Sequence, residues 1–422
     1  MKELQNNIKG IVLALKNKGK MRLAGEINKN WQKTSLSYSK ELNNWKPARP
    51  IEKELLSAFS KELERLEIKD PRKTDVLNSI KKRRVLQTGP HLGMSESPRM
   101  LCINWLGSLG VNMKDFYIVA MFSGIPFSNK SRPGRINKKK DSINLFPANM
   151  QDAMVYRSII PEKLIESFDK LSKKIKKILP CPKLGGSYTK WALLGCQNIE
   201  SKILNKKNLI FIDINEVVTN YLLEVLKNKK HIFYKIFFDT KTQKEFIKAF
   251  PNEIMFYSSG KQGKYDTMES YTLVEGKLIN KNKEILLEDK KILTQELESG
   301  RLCPALITGF LTLAFLNQFK CFGSFAQVEY LPIYQKKLSG LGFMKEYSVG
   351  KIPTANLTTG VFPAQIDLYP IDIILGEKFS PDSSLKFGEL LVPMKETLLG
   401  SYFVGSIRKY AQHDFAKSNE KK

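Results

Sequence analysis

The most constraining feature of the chain is a pair of short runs that are apolar on both faces, residues 116–122 (FYIVAMF) and 208–214 (NLIFIDI). Strands of this kind are covered on both sides, as in parallel sheets that carry helices on each face. Segments with helical spacing separate them from each other and from a further strand at residues 85–88. Strands that alternate with helices predict an α/β fold, Rossmann-like, around a mostly parallel sheet.

The remaining pattern supplies further elements. Helices are predicted over residues 98–109, 161–179, 187–204, 216–226, 304–319 and 326–338, and strands over 234–239 and 253–258. Residues 269–279 interrupt the alternation, and Glu275-Gly276 predicts a hairpin turn within them.

Four regions follow from this pattern. Residues 1–80 are predicted to form a helical N-terminal cap, because residues 51–68 place apolar side chains at helical spacing among Lys and Glu. Residues 81–345 form the predicted Rossmann-like α/β core, and residues 346–415 a loop-rich C-terminal extension packed on that core. The charged residues 416–422 are predicted to be a disordered tail.

Charge is the outlying property of the composition: 69 Lys and Arg against 42 Asp and Glu give a formal net charge of +27. This suggests nucleic acid, anionic membranes or anionic small molecules as partners. Only 12 of the cations are Arg, however, and such an excess of Lys is what an AT-rich genome produces without selection for a polyanion. Arg is the more informative cation, since its planar group suits phosphate and carboxylate. Five of the 12 lie between residues 83 and 135.

The cysteine pattern favours a reducing compartment. Five cysteines are widely spaced without a C-x-x-C pair, so neither a disulfide framework nor a zinc site is predicted. The first twenty residues hold only a short apolar run followed at once by lysines, unlike a signal peptide. The longest apolar stretch, residues 305–316, is too short to span a bilayer as a helix. We therefore expect a cytoplasmic protein with no membrane partner and no metal site.

The first candidate site follows the strand at residues 85–88, because ligands of open α/β sheets bind at the carboxyl ends of strands. A Gly-rich turn leads there into the next helix, whose free N–H groups can bind an anion. His91 lies within the turn, where an imidazole transfers protons near neutral pH; the alternative is an ordinary turn in which His91 bonds a backbone carbonyl. The residues predicted to bind substrate or anion here are Thr88, Gly89, Gly93, Ser95 and Arg99.

The second candidate site follows the strand at residues 116–122. Ser123 ends this strand, and downstream Arg132 and Arg135 flank a Pro-Gly turn. Such a turn holds two guanidinium groups at a fixed separation, around one phosphate or carboxylate. The alternative is a solvated basic loop. If the site interpretation holds, alanine at His91, Arg132 or Arg135 removes activity and leaves thermal stability nearly unchanged.

Two further strand ends contribute candidates. Asp213 ends the strand at residues 208–214, where it is suited to bind a ribose hydroxyl or an amine; the alternative is a helix N-cap. Lys261 lies in a Gly-Lys turn after the strand at residues 253–258, as a candidate anion-binding residue. The chain holds no Walker A, G-x-G-x-x-G, H-E-x-x-H or G-x-S-x-G motif. P-loop, Rossmann-dehydrogenase, zincin and α/β-hydrolase interpretations therefore lose their main support.

A polar helix face near the end of the core is the last candidate. Gln327, Tyr330 and Tyr334 share one face of the predicted helix at spacings of three and four residues, after a Gly turn. Polar tips on one face suit a pocket wall, and the alternative is a helix that packs half-buried aromatics on the core. Together with His91, we take Gln327 and Tyr330 as the predicted catalytic residues.

The run at the end of the first core strand carries a resemblance to a known family. Gly89, His91 and Gly93 end the strand, and Pro98 begins the next helix. This resembles the cysteine-adding enzymes of bacillithiol biosynthesis, in which a Gly-Gln-Gln-x-Gly-Leu run ends the first core strand before a Gly-Pro helix start.

A second run matches further along. The family has a Gly-Gly-x-x-Glu-x-x-Tyr helix after a long apolar helix; here Gly323 and Tyr330 match, while Ser324 and Gln327 replace the second glycine and the glutamate. The segments between follow in similar order, so the resemblance covers residues 83–345. It implies a core like that of nucleotidylyltransferases and an enzyme that joins an amino acid to an amine through a carbon–nitrogen bond.

The sequence thus predicts a small-molecule biosynthetic enzyme, ligase- or transferase-like, that joins an amino acid or other carboxylate to an amine. Because a free carboxylate needs activation by phosphate or adenylate, the expected cofactor is ATP or another nucleotide. The expected partners are an anionic small molecule and an amine or amino acid, with a homodimer left open.

Two alternatives use other features of the sequence. The first is a nucleic-acid-binding protein that uses the basic surface, and the second is a non-catalytic partner-binding protein on a degenerate enzyme fold. Retention on heparin that collapses between about 50 and 200 mM salt indicates nucleic acid. Stabilisation by a nucleotide or an amino acid indicates the enzyme.

Overall fold

A computed structural model describes residues 2–94, 97–281, 283–363 and 366–400 of the chain. Residues 2–83 form five helices joined by loops. Their helices are α1 (Lys2–Asn17), α2 (Met21–Asn30), α3 (Ser35–Asn43), α4 (Lys53–Arg65) and α5 (Arg72–Arg83).

Strands and helices then alternate along the chain. The elements between residues 85 and 225 are β1 (Val85–Gln87), α6 (Pro98–Leu109), β2 (Tyr117–Met121), β3 (Arg135–Ile136), β4 (Ile143–Asn144), α7 (Glu162–Asp169), α8 (Lys173–Lys176), α9 (Tyr188–Ile203), β5 (Leu209–Asp213) and α10 (Ile214–Val225). The elements that follow are α11 (Ile232–Phe238), α12 (Thr240–Ala249), β6 (Ile254–Gln262), β7 (Tyr265–Val274), β8 (Lys277–Ile279), β9 (Glu284–Leu286), α13 (Lys290–Glu298), β10 (Leu302–Pro304), α14 (Leu306–Phe310), β11 (Lys320–Phe322) and α15 (Phe325–Ser339).

The centre of the fold is a four-stranded, all-parallel sheet in the order β11–β1–β2–β5, flanked by helices. Every residue of these strands is buried, which is why their sequences are apolar on both faces. The predicted α/β, Rossmann-like fold is confirmed. The chain runs outward from β1 through β2 to β5 and later returns to place β11 on the other side of β1. Such a reversal of strand order opens a crevice at the carboxyl ends of the two strands concerned, here β1 and β11.

A second sheet is antiparallel, in the order β10–β6–β7–β8–β9. The strand predicted at residues 253–258 exists as the first part of β6, but it belongs to this second sheet and not to the parallel one. The predicted hairpin is confirmed, since β7 pairs with β8 across Glu275 and Gly276.

Three other elements differ from prediction. Residues 234–239 are not a strand, because their aromatic and β-branched side chains belong to α11, which buries Ile232, Phe233, Ile236 and Phe237 at helical spacing. The helix predicted over residues 161–179 is divided into α7 and α8. The helix predicted over residues 304–319 is α14 followed by a π-helical segment, Leu311–Leu316.

The described part of the C-terminal extension holds the short helices α16 (Pro370–Leu375), α17 (Phe387–Leu391) and α18 (Lys395–Leu399) and brief 3₁₀ turns at Val349–Lys351 and Val392–Met394. A further 3₁₀ turn, Gly342–Tyr347, begins just before it. Leu357 pairs in parallel with Gly323, and its carbonyl accepts a hydrogen bond from Tyr38 of the cap at 2.7 Å. The extension therefore links the cap to the β11 edge of the sheet. The predicted tail, residues 416–422, lies outside the described residues.

Within the ranges that the structure describes, we found no helix that combines the length and the apolar character needed to cross a membrane.

Candidate functional site

The loops that follow β1 and β11 meet at the carboxyl edge of the sheet. Thr88 Oγ1 lies 2.8 Å from the carbonyl oxygen of Phe322 and 3.0 Å from Gln327 Oε1. Gln327 Nε2 donates in turn to the carbonyl of Cys321 at 3.3 Å. A Cβ added to Gly323 would lie 2.2 Å from Gln327 Cδ, so only glycine fits there. The structure brings the predicted residues Thr88 and Gln327 together, and both side chains tie the end of β11 to the end of β1.

Two helix N-termini converge on this crevice. Helix α6 begins after Ser97 and α15 begins after Ser324, and neither serine side chain makes a capping hydrogen bond. The guanidinium carbon of Arg99, in the first turn of α6, lies 6.0 Å from the ring centre of Phe325, the first residue of α15. The first turns of the two helices therefore face each other across the edge. Their N–H groups, together with Arg99, create a positive potential that favours an anion.

His91 lies at the same edge, half-buried and paired through its backbone with the end of β2. Leu92 N donates to the carbonyl of Phe122 at 2.7 Å, which fixes the turn. His91 Nδ1 lies 3.1 Å from Asn129 Oδ1, and that oxygen also accepts the backbone N–H of Ser131 at 3.0 Å. Because Asn129 Oδ1 can only accept hydrogen bonds, His91 Nδ1 carries the proton and donates it to this oxygen. The lone pair of the neutral ring is then on Nε2.

The environment of the ring keeps it neutral. Burial lowers the pKa of His91 below its ordinary value, and the nearby charge of Arg99 lowers it further, against the opposing hydrogen bond of Asn129. A neutral imidazole with a free Nε2 lone pair is a base. The alternative interpretation of His91, a ring bonded to a backbone carbonyl, does not describe this contact, because the partner is the side chain of Asn129.

The Pro-Gly turn lies directly beside the Gly-rich turn. A Cβ on Gly93 would lie 2.8 Å from Pro133 Cα, and Tyr188 donates its hydroxyl to the carbonyl of Pro133. Arg132 is exposed, and Arg135 is half-buried at the start of β3. The two predicted turns thus lie next to each other. That both arginines bind one anion stays a prediction.

The ends of β2 and β5 carry a buried polar network, in which Asp213 Oδ2 is left without a hydrogen-bond partner among the described residues. Ser123 Oγ donates to Asp213 Oδ1 at 2.8 Å, and the same oxygen accepts the N–H of Asn215 at 2.9 Å. Asn215 Oδ1 accepts the N–H groups of Ser123 and Gly124 at 2.8 and 3.1 Å, while its Nδ2 donates to the carbonyl of Pro304 at 2.7 Å. Asp213 is therefore the N-cap of α10, the alternative interpretation of this residue, and it is fully buried.

The N-terminal cap completes this network. Glu62 of α4, fully buried, accepts the N–H of Asp213 at 2.8 Å and forms a two-bond ion pair with Arg65 at 2.6 and 2.9 Å. Burial, and then the charges of Glu216 and Glu62, raise the pKa of the Asp213 carboxyl. The carboxyl of Asp213 therefore keeps its proton at pH values where an exposed aspartate is ionised.

The remaining predicted residues lie elsewhere. Lys261 is exposed on β6, opposite Asp266 in the β6–β7 hairpin of the antiparallel sheet. Tyr330 is largely buried between the rings of Phe310 and Tyr334, at centroid distances of 5.8 and 5.7 Å. This packing agrees with the alternative prediction for α15, a helix that packs its aromatic side chains on the core. Ser95 lies outside the described residues.

Sequence reasoning missed two residues that shape the edge, Asn129 and Glu62. Asn129 was visible as a polar residue in the loop after β2, and its amide orients His91. Nothing in the pattern around Glu62 distinguishes it from the other acids of a charged helix, and its position is set by how α4 packs on β5 and α10.

Comparison of the chain with protein-family models and with curated proteins found no match. The likeness to the cysteine-adding enzymes therefore rests on the residues quoted for it above.

Proposed function

We propose that the chain is an enzyme that binds an anionic small molecule between the N-termini of α6 and α15 and forms a carbon–nitrogen bond beside His91. The observation that carries this proposal is the oriented, neutral imidazole of His91, in the turn that leads from β1 past the end of β2, near Arg99 and the reversal of strand order at β1 and β11. Ligands of open α/β sheets bind at such reversals of strand order.

The anion is a phosphate or carboxylate group. Two helices of 12 and 15 residues direct their N-termini to the crevice, and each contributes N–H groups and a partial positive charge. Arg99 adds a full charge and a planar pair of donors suited to these groups. The nucleotide expected to activate a carboxylate, ATP or a related compound, has the chemistry that this arrangement recognises.

The reaction supported best is attack by an amine on an activated carboxyl group. In that step the nitrogen forms a bond to the carbonyl carbon and the activating phosphate or adenylate leaves with the bonding electrons. The nitrogen must lose a proton, which His91 Nε2 accepts, and the proton later passes to the leaving group or to water. The match of Gly89, His91, Gly93 and Pro98 to the cysteine-adding enzymes supports this reaction class.

The test is an assay with defined mixtures of nucleotide, amino acids and amines. ATP or CTP is incubated with the protein and pools of both substrate types, and release of phosphate or pyrophosphate is measured together with the masses of new products. The proposal requires release that depends on both the carboxylate and the amine, with a product of the combined mass less water. Binding of duplex or single-stranded nucleic acid without any stabilisation by nucleotides or amino acids contradicts it.

A further inference from the structure

A cavity of about 480 Å³ lies beside the outer edge of the parallel sheet, away from the His91 crevice. It is open to solvent on one side and is lined by α2 and α3 of the cap, by β11, by α15 and by residues 352–356 of the C-terminal extension. Its volume falls within the range of about 300–1,000 Å³ typical of small-molecule sites. Thr88, His91 and Arg99 are not among its lining residues, so it is separate from the proposed reaction site.

Lys320 is the buried cation of this cavity. Its side chain lines the cavity although the residue is only 7% exposed. Its ammonium group donates to the carbonyl of Glu41 at 3.2 Å. Among the described residues, this is the one hydrogen bond that the ammonium group makes. An ammonium group has three donors, and a buried donor without an acceptor is costly. An occupant of the cavity with two oxygen acceptors, such as a carboxylate, satisfies the remaining donors.

The charge state of Lys320 suits this role. Burial lowers the pKa of its amine to about 8. The amine is therefore still mainly protonated at pH 7. A bound carboxylate would stabilise the protonated form, because an opposite charge offsets the cost of burial.

Glu26 is the acid that needs a cation. It lines the same cavity from α2 and is half-buried, and its carboxylate accepts a hydrogen bond from Asn30 Nδ2 at 3.2 Å. The other acid of the lining, Glu41, is already paired with Lys33. Burial raises the pKa of Glu26, against the opposing charge of Lys29, and among the described residues it forms no ion pair within 4.0 Å.

We propose that this cavity binds a small α-amino acid as a zwitterion, with its carboxylate on Lys320 and its ammonium group on Glu26. Arg22 and Lys29 also line the cavity, but each lies within 4.0 Å of another acid, Glu329 and Glu41. A purely anionic ligand therefore leaves Glu26 without a cationic partner. A purely cationic ligand leaves the donors of Lys320 without acceptors. Only a ligand with both charges complements both buried groups.

One residue that lines the cavity also holds the end of β11 in place. Asn356, which lines the cavity, donates to the carbonyl of Cys321 at 3.3 Å, and its own carbonyl accepts the N–H of Gly323 at 3.0 Å. An amino acid in the cavity therefore lies against the segment that holds the end of β11.

The experiment is calorimetric titration of the full chain with amino acids chosen from a thermal-shift screen of all twenty. We expect at least one amino acid to bind. We expect Lys320→Met and Glu26→Gln each to weaken that binding by about tenfold or more, the scale of a hydrogen bond to a charged group. Glu26 is half-buried, so its variant keeps the test valid if Lys320→Met does not fold. Arg99→Met, which alters only the other site, is the matched control and should bind the amino acid as the wild type does.

Three outcomes overturn the proposal. The first is that no amino acid binds. The second is that binding survives in both Lys320→Met and Glu26→Gln. The third is that the separate halves of the ligand, propionate and ethylamine for alanine, each bind as tightly as the amino acid. Because the proposal does not depend on the reaction at His91, loss of amino-acid binding in Arg99→Met with retention in the two cavity variants assigns the ligand to the reaction site instead.

Discussion

The two halves of the sheet's carboxyl edge differ in how deeply their polar side chains are buried and in what they bond. At the ends of β2 and β5, Ser123, Asp213 and Asn215 are fully buried and joined to each other, to Glu62 and to the backbone. In the half that includes the ends of β1 and β11, His91 and Arg99 are half-buried, and the N-cap residues of α6 and α15, Ser97 and Ser324, make no capping hydrogen bond through their side chains. Both halves offered candidates in the sequence; we call the first the closed half and the second, which we propose as the ligand site, the open half.

This difference separates a structural role from a chemical one. A buried polar network that joins the ends of neighbouring strands to the backbone fixes the packing of strands and helices. An oriented base beside a cation and two helix N-termini is a candidate for chemistry. Variants in the two halves should therefore affect different measurements, stability in the first and activity in the second.

The largest effect is expected for Asn215→Ala, in the closed half. This variant removes the acceptor of Ser123 N and Gly124 N and the donor to Pro304, so three buried backbone groups lose their partners. We expect the free energy of unfolding, measured with urea, to fall by about 3–5 kcal/mol. Asn220→Ala, one turn further along α10 with a single hydrogen bond to Glu216, is the matched control and should cost about 1 kcal/mol or less. A loss no larger in Asn215→Ala than in Asn220→Ala would show that the network is not structural.

The second effect is expected in the open half. His91→Gln removes the base, and we expect the rate of product formation to fall by about 100-fold or more. The unfolding free energy should change by less than about 1 kcal/mol, because the ring is half-buried and has one side-chain partner. His231→Gln is the contrasting variant, since His231 caps α11 and contacts Tyr221. It should lower stability by about 1 kcal/mol and leave the rate unchanged. A loss of rate in His231→Gln, with a loss of stability alone in His91→Gln, would contradict the assignment of His91 as the base.

The third effect concerns the pH dependence of stability in the closed half. The pKa of Asp213 is raised in the folded state, so above the ordinary aspartate pKa of about 4 the folded protein binds more protons than the unfolded chain. The stability of the wild type relative to Asp213→Asn should therefore decrease as the pH rises from 5 to 8, by up to about 1.4 kcal/mol per unit.

Urea unfolding of both proteins across this range measures that difference. The matched control is Asp239→Asn at the N-cap of α12, where a hydrogen bond from Thr242 lowers the aspartate pKa. Its difference from the wild type should stay constant between pH 5 and 8, because that carboxylate is ionised in both states. A constant difference for Asp213→Asn as well would mean that its carboxyl is already ionised at pH 5.

The sequence predicts β1, β2 and β5 of the parallel sheet because burial on both faces is visible in their apolar residues, whereas it did not predict the short strand β11. The runs at 116–122 and 208–214 contain β2 and β5, and Pro98 begins α6 as predicted. The same reasoning failed at residues 234–239, where aromatic side chains that favour strands are instead spaced to bury one face of α11. At these residues the composition is typical of a strand and the spacing of the apolar side chains is typical of a helix, and the structure is a helix.

The candidate site was predictable only in part. Strand ends located Thr88, His91 and Asp213, because the topology of open sheets places ligands there. No sequence pattern joins Glu62 to Asp213, 151 residues away, or Thr88 to Gln327, 239 residues away. These contacts depend on how the cap and α15 pack against the sheet, and they decide which strand end is closed and which is open.

The central claim is that the β1–β11 crevice is an anion site that includes Arg99. Calorimetric titration with ATP and with pyrophosphate, of the wild type and of Arg99→Met, tests it most directly. We expect the wild type to bind at least one of the two ligands and Arg99→Met to bind it about tenfold or more weakly. Lys114→Met, which removes an exposed cation just before β2 at the opposite edge of the sheet, should bind as the wild type does. Equal binding by Arg99→Met and the wild type, or equal weakening by both variants, would contradict the claim.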